Sequence, residues 1–270
     1  MKYLPDIKNI YYFFCLWIFL LILNGCKDNP VENIIKPKTI KKVTTSPDDY
    51  SEYFYTSGLL TNKGIISSAK LSYNITLSYD KFSRLIKKEE VSFNTGIPVH
   101  SYTTYEYGSL YKLQRSSYFA QSAGGNYELR SYTTYKYDND NLTRYQTYDG
   151  TTNELMTYDE FKYNSSGNII GHKQHNGNDD LKLNETFEYD GKPNALNSDL
   201  SILSAASISK NNIIKSTFTN YNTFPPGLGT TQNSYSYNNE DYPEACISVY
   251  EISWKGITSR STINYKYEYN

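Results

Sequence analysis

The sequence predicts an all-β fold: an antiparallel meander of β-hairpins curled into a barrel or half-open sheet, with a two-layer β-sandwich as the alternative. Three observations predict it. The chain of 270 residues carries 30 Tyr against 2 Met and 2 Trp, and Tyr is a residue that pleated, half-buried strands favour. A loosely varied aromatic-polar-aromatic triplet recurs at Leu77-Ser-Tyr79, Tyr105-Glu-Tyr107, Tyr135-Lys-Tyr137, Phe161-Lys-Tyr163, Phe187-Glu-Tyr189, Tyr235-Ser-Tyr237 and Tyr265-Lys-Tyr267. Turn formers follow these triplets, and an apolar residue often stands six positions past the last Tyr, as in Tyr79 to Leu85 and Tyr163 to Ile169.

Large flanks around a Ser, Lys or Glu give a period of two, which a strand with one buried face requires. Asn, Asp and Gly after the triplet supply side-chain caps and left-handed dihedrals for hairpin loops of three to five residues. The final triplet residues are spaced by 28, 30, 26, 26, 48 and 30. A unit of 26–30 residues is two strands and two turns, so 12–15 strands are expected, with neighbours in sequence paired. The 48-residue gap is read as hiding a degenerate copy around residues 216–221 or a long loop carrying Pro225-Pro-Gly227.

Ahead of the repeats, Ile10 to Leu23 is an apolar run of 14 residues behind Lys2 and Lys8. That fits a signal-peptide core and falls short of the roughly 20 residues needed to span a bilayer. Residues 1–25 are therefore read as a leader. Residues 26–50, with Pro30, Pro37 and Pro47 and no alternation, have the composition of a tether, which leaves 51–270 as the β domain. Cys15 departs with the leader and Cys246 lies in an apolar, strand-like run, where a buried, inert thiol is expected.

Two resemblances add to this reading. Leu23-Asn-Gly-Cys26 resembles the lipobox of bacterial lipoproteins, which implies acylation at Cys26, cleavage after Gly25 and attachment to a membrane through the lipid. Lys27-Asp28 resembles the signal that sends such proteins to the outer face of the outer membrane. Tyr137-Asp-Asn-Asp-Asn-Leu142, Tyr163-Asn-Ser-Ser-Gly-Asn-Ile169 and Tyr189-Asp-Gly191 look like the Tyr-Asp turn of YD, or RHS-type, repeats, although the period is longer and Gly108 stands where Asp would follow Tyr107. With lipobox and tether, the pattern resembles surface lipoproteins grouped as a domain of unknown function with a porin-like barrel. The resemblance supplies a shape and a cell-surface address, not an activity.

Lys and Arg number 27 against 28 Asp and Glu, so the basic excess of a nucleic-acid binder is absent. There is no G-x-S-x-G, phosphate-binding Gly-rich loop, H-E-x-x-H or paired C-x-x-C, and no catalytic residue, metal site or cofactor is assigned. His172 and His175 are three apart, which on a strand puts them on opposite faces, and solvated edge positions are expected for both. The Asp138–Asn141 and Asn176–Asp180 clusters read as hairpin tips. What remains is the Tyr stripe, either a cross-strand ladder or a recognition face. The expected function is a non-enzymatic envelope binding module for a glycan or outer-membrane protein. Tyr105, Tyr107, Tyr135, Tyr137, Phe161 and Tyr163 are the candidate contacts, because consecutive hairpins should set them side by side. A purely structural envelope component and a carboxylate-dependent glycan hydrolase are the alternatives.

Overall fold

Alternation becomes strand along nearly the whole computed structural model, which describes residues 39–94, 96–108, 111–198 and 204–270. The leader, Cys26 and the first part of the tether lie outside the described residues. Among the described residues there are sixteen strands. The first eight are β1 (Ile40–Ser46), β2 (Asp49–Thr56), β3 (Leu59–Ser67), β4 (Lys70–Tyr79), β5 (Leu85–Ser92), β6 (Val99–Tyr107), β7 (Leu113–Gln121) and β8 (Tyr127–Asp138). They continue as β9 (Asn141–Asp149), β10 (Leu155–Tyr163), β11 (Ile169–Asn176), β12 (Leu181–Pro193), β13 (Asn211–Asn220), β14 (Gly227–Tyr237), β15 (Pro243–Trp254) and β16 (Ile257–Tyr269). Each pairs antiparallel with its neighbours in sequence, and β1 pairs with β16 to close the barrel. Neither a half-open sheet nor a sandwich is formed.

The domain begins at Ile40 rather than at residue 51. Lys-rich and set between Pro37 and Pro47, β1 lacks the look of a strand, yet without it β2 and β16 would keep open edges, which closure alone removes. Val43 pairs with Tyr267 on one side and Ser51 on the other.

At one rim, hereafter the Tyr rim, four of the even strands, β4, β6, β10 and β14, turn back through a repeated five-residue loop. In the loops that begin at Asp80, Asn164 and Asn238, the first backbone N–H donates to the fifth carbonyl, at 2.9, 3.0 and 2.9 Å. The side chain of that first residue accepts the N–H groups two and four positions on, at 2.9–3.0 Å. This explains the Asx after Tyr, since one carboxylate or amide oxygen caps two otherwise orphaned donors. Gly108 closes the same loop onto Lys112 through its backbone, without a side-chain cap.

The last Tyr of the triplet has an equally regular task. Joined by turns at the far rim, strand pairs such as β9–β10 splay toward the Tyr rim, and their ladder stops at Arg144 and Glu160. The Leu142 carbonyl beyond that point takes the Tyr163 hydroxyl at 2.9 Å. Tyr79 to Leu60 at 2.7 Å, Tyr107 to Leu85 at 2.9 Å, Tyr189 to Ile169 at 2.5 Å and Tyr269 to Pro243 at 2.7 Å repeat the bond. Tyr137 contacts the Leu113 backbone at the corresponding place. A phenol spans the gap that Phe would leave open.

The 48-residue interval holds neither a degenerate triplet nor an unusual loop at Pro225. It holds an insertion between β12 and β13, with a 3₁₀ turn (Ala195–Ser198) and a short helix α1 (Ala205–Ile208). Leu196 packs on the apolar cluster of Ile40, Tyr53, Leu60, Ile75, Leu77 and Leu85, while Ala205 and Ile208 pack on Leu142, Phe161 and Ile169. The insertion thus plugs the lumen at the Tyr rim. Fully buried Ser209 ties it down, its hydroxyl meeting the Ile169 N–H at 3.1 Å and the Tyr189 hydroxyl at 2.8 Å.

The outer wall is polar. Mid-strand ion pairs join Lys42 to Glu52, Lys87 to Glu89, Arg144 to Glu160 and Lys215 to Glu188, at 3.6, 2.7, 3.4 and 2.8 Å. Among the described residues no helix is long and apolar enough to cross a membrane.

Candidate functional site

The six candidate rings do stand side by side, and they face inward. Tyr105 lies opposite Ser116, whose hydroxyl is 2.7 Å from that of Tyr135. Tyr135 neighbours Tyr145 at 6.2 Å between ring centroids, Tyr145 neighbours Phe161 at 5.7 Å, and Phe161 stacks on the His172 imidazole at 5.0 Å. Tyr107, Tyr137 and Tyr163 are the latches described above. Burial pushes the Tyr137 and Tyr163 hydroxyls up to about 12. The row is thus a packed ladder with its hydroxyls engaged within the wall.

Next to it lies a charged cluster that the sequence did not disclose. His172 on β11 sits between Asp159 on β10 and Glu185 on β12, with Nε2 2.7 Å from Asp159 Oδ1 and Nδ1 2.7 Å from Glu185 Oε2. Burial alone would lower the imidazole's pKa, but the two carboxylates overcome this and hold it up at about 9. His172 is therefore an inward imidazolium, 14% exposed, rather than a solvated edge residue. His175, as its spacing requires, points the other way and stacks on Tyr158 at 4.5 Å. With both nitrogens held by carboxylates, His172 offers no free lone pair to a substrate or a metal. No cluster of metal-ligating groups occurs among the described residues.

On the opposite side the lumen is not filled. A cavity of about 620 Å³ lies between the plug and the walls formed by β1–β3 and β13–β16. Val43, Ile65, Leu196, Ile213, Tyr235 and Tyr267 give it an apolar face, and hydroxyls and amides complete the lining, from Ser67, Ser216, Thr231, Asn233 and Ser248 on the walls and from Asn194, Ser204 and Ser207 of the plug. Cys246 lines it too, buried as the sequence suggested, with burial pushing its thiol up to about 11. Outside, at the far rim, Phe224 is 89% exposed beside Trp254, whose indole N–H donates to the Pro225 carbonyl at 3.1 Å. That contact joins the β13–β14 and β15–β16 loops.

No family model matches the sequence, and no curated protein matches it. Among solved structures, the chain is similar to a porin-like protein from Bacteroides uniformis, with a TM-score of 0.55 at 14% identity over 87% of this chain and 98% of that one. A porin-like protein from Bacteroides vulgatus gives a TM-score of 0.50 at 10% identity over 86% and 99%. At these identities the likeness concerns the fold.

Proposed function

We propose that this chain is a non-enzymatic cell-envelope protein, held to the outer membrane by a lipid on Cys26, whose barrel stands in water and binds a glycan at its far rim. One observation carries the reading: ion pairs such as Arg144–Glu160 and Lys215–Glu188 occupy the middle of the outer wall. A bilayer would charge roughly 2–4 kcal/mol for each Lys or Arg at its midplane, so a porin-like shape here does not imply a pore. Asp159 and Glu185 are the inward carboxylates a hydrolase would need, but His172 fills the space between them. β1 starts at the Tyr rim, so a tether from Cys26 enters the barrel there, and the far rim is the opposite end. The aromatic surface on offer there is Tyr221, Phe224 and Trp254 rather than the six inward rings, which pack within the wall.

Two measurements test this. A fatty-acid probe should label the wild type and not Cys26→Ala, and residues 27–270 should remain monodisperse and β-rich in buffer without detergent. Equal labelling, or a barrel soluble only in detergent, overturns the placement. On a glycan array, Phe224→Ala with Trp254→Ala should abolish whatever the wild type retains, and binding that survives both changes removes the rim from the account.

A further inference from the structure

We infer that the lumen cavity is a binding site for a small uncharged amphiphile, its apolar part against the aliphatic side chains of the lining and its hydroxylated part among the hydroxyls. The repeat itself shows how the space arises. Three positions past the apolar residue that follows each Tyr-rim loop, the inward side chain is Tyr145 in β9 and His172 in β11, and these rings fill their half of the lumen. The equivalent positions in β13 and β15 hold Ser216 and Cys246, both on the cavity wall. The equivalent positions in β3, β5 and β7 hold Lys63, Lys88 and Ser116, so the fold fixes no one side chain there, and the small ones in β13 and β15 leave room that rings take in β9 and β11. Wide barrels leave lumen that side chains alone do not fill, but here the plug closes one end and the residual volume falls in the range of small-molecule sites, roughly 300–1,000 Å³.

The lining specifies the chemistry. Val43, Ile65, Leu196 and Ile213 give water few partners along the part of the wall they form, which favours an apolar group there. Ser216, Thr231 and Ser248 offer donors and acceptors without net charge. Two charged side chains reach the wall, and both are engaged. The Lys63 ammonium lies 4.9 Å from the centre of the Tyr53 ring, and the Asp49 carboxylate accepts from the Ser46 and Ser67 hydroxyls and the Ser68 N–H, at 2.7, 3.0 and 3.0 Å. An ionic ligand would lose its hydration without gaining a counter-charge. An uncharged one with a sugar-like or alcoholic head would lose little.

This inference stands whether or not Cys26 is acylated or the rim binds a glycan. Its test is calorimetric titration of residues 27–270, which contain the whole closed barrel, with octyl glucoside below its micelle concentration. Octyl sulfate and octyltrimethylammonium serve as charged heads on the same tail, and glucose as the head alone. Saturable binding of one octyl glucoside per chain is expected, with the charged homologues and glucose weaker by about tenfold or more. Ser216→Tyr, which restores the ring found at Tyr145, should weaken binding by at least about tenfold. Gln232→Tyr on the outer wall should not alter it. Should Ser216→Tyr fail to fold, Ser248→Leu intrudes less and should reduce affinity in the same direction. The absence of saturable binding, equal binding of the charged homologues, or full affinity in a folded cavity-filling variant each overturns the proposal.

Discussion

A tyrosine hydroxyl is the smallest device on which this fold depends. Tyr163 donates to the Leu142 carbonyl at 2.9 Å, just beyond the point where the β9–β10 ladder ends. Replacing it with Phe keeps the ring and leaves that carbonyl without its donor, so Tyr163→Phe should lower the free energy of unfolding by about 1–2 kcal/mol. Urea denaturation reads this directly, and an unchanged midpoint would mean that water replaces the latch at no cost. His172 makes a second prediction at this scale. Its folded pKa of about 9 lies above the ordinary 6.5. The Asp159–His172–Glu185 cluster therefore contributes its full stabilisation below pH 6.5 and loses it as the pH rises through 9, a difference of up to about 3 kcal/mol. His172→Gln does not titrate, so the wild type should lose urea resistance between pH 6.5 and 9.5 much more steeply than this variant. Parallel curves would remove the imidazolium from the account.

Between residue and barrel lie the hairpins, and here the sequence was readable to the degree that each element carries its own pattern. Tyr-Asx loops and the period of two sit within a few neighbouring residues, so Tyr79 to Leu85 and Tyr163 to Ile169 announce their turns locally. β1 does not, because Lys41, Lys42 and the flanking prolines look like tether and only the unpaired edges of β2 and β16 call for it. The plug was hidden for a different reason. Its 3₁₀ turn and the short helix α1 lack a period of their own, and their burial comes from walls supplied by distant strands. The same holds for the charged cluster. Spacing alone put His172 and His175 on opposite faces, but choosing which faced inward, and setting Asp159 and Glu185 on either side of it, took the registers of β10 and β12. The cavity was the least legible feature, since it depends on small side chains contributed by strands far apart in sequence. Ser216 and Cys246 look unremarkable until aligned with Tyr145 and His172.

For the molecule as a whole, the consequence is a barrel whose interior sets many buried phenols beside its aliphatic clusters, and those phenols carry a pH limit. Burial raises the hydroxyl pKa of Tyr105, Tyr135, Tyr145, Tyr235 and Tyr267, and it places Tyr137 and Tyr163 at about 12. In the unfolded chain a tyrosine ionises near 10. A group whose folded pKa is raised gives its full stabilisation below the unfolded value, so these residues favour the barrel up to pH 10 and withdraw that support as the pH climbs from 10 toward 12 and beyond. Because they share one lumen, a first tyrosinate raises the cost of the next, and the barrel should open in a single steep step. Tyrosinate absorbance of this buried set should therefore appear together with the loss of the β-sheet circular dichroism signal. The closed barrel and its plug are what shield these hydroxyls. A variant in which residues 194–209 are replaced by a short turn should accordingly open at lower pH than the wild type. If these rings ionise while the β-sheet signal is intact, water already reaches the lumen, and the packed phenol interior is not what holds the sixteen strands closed.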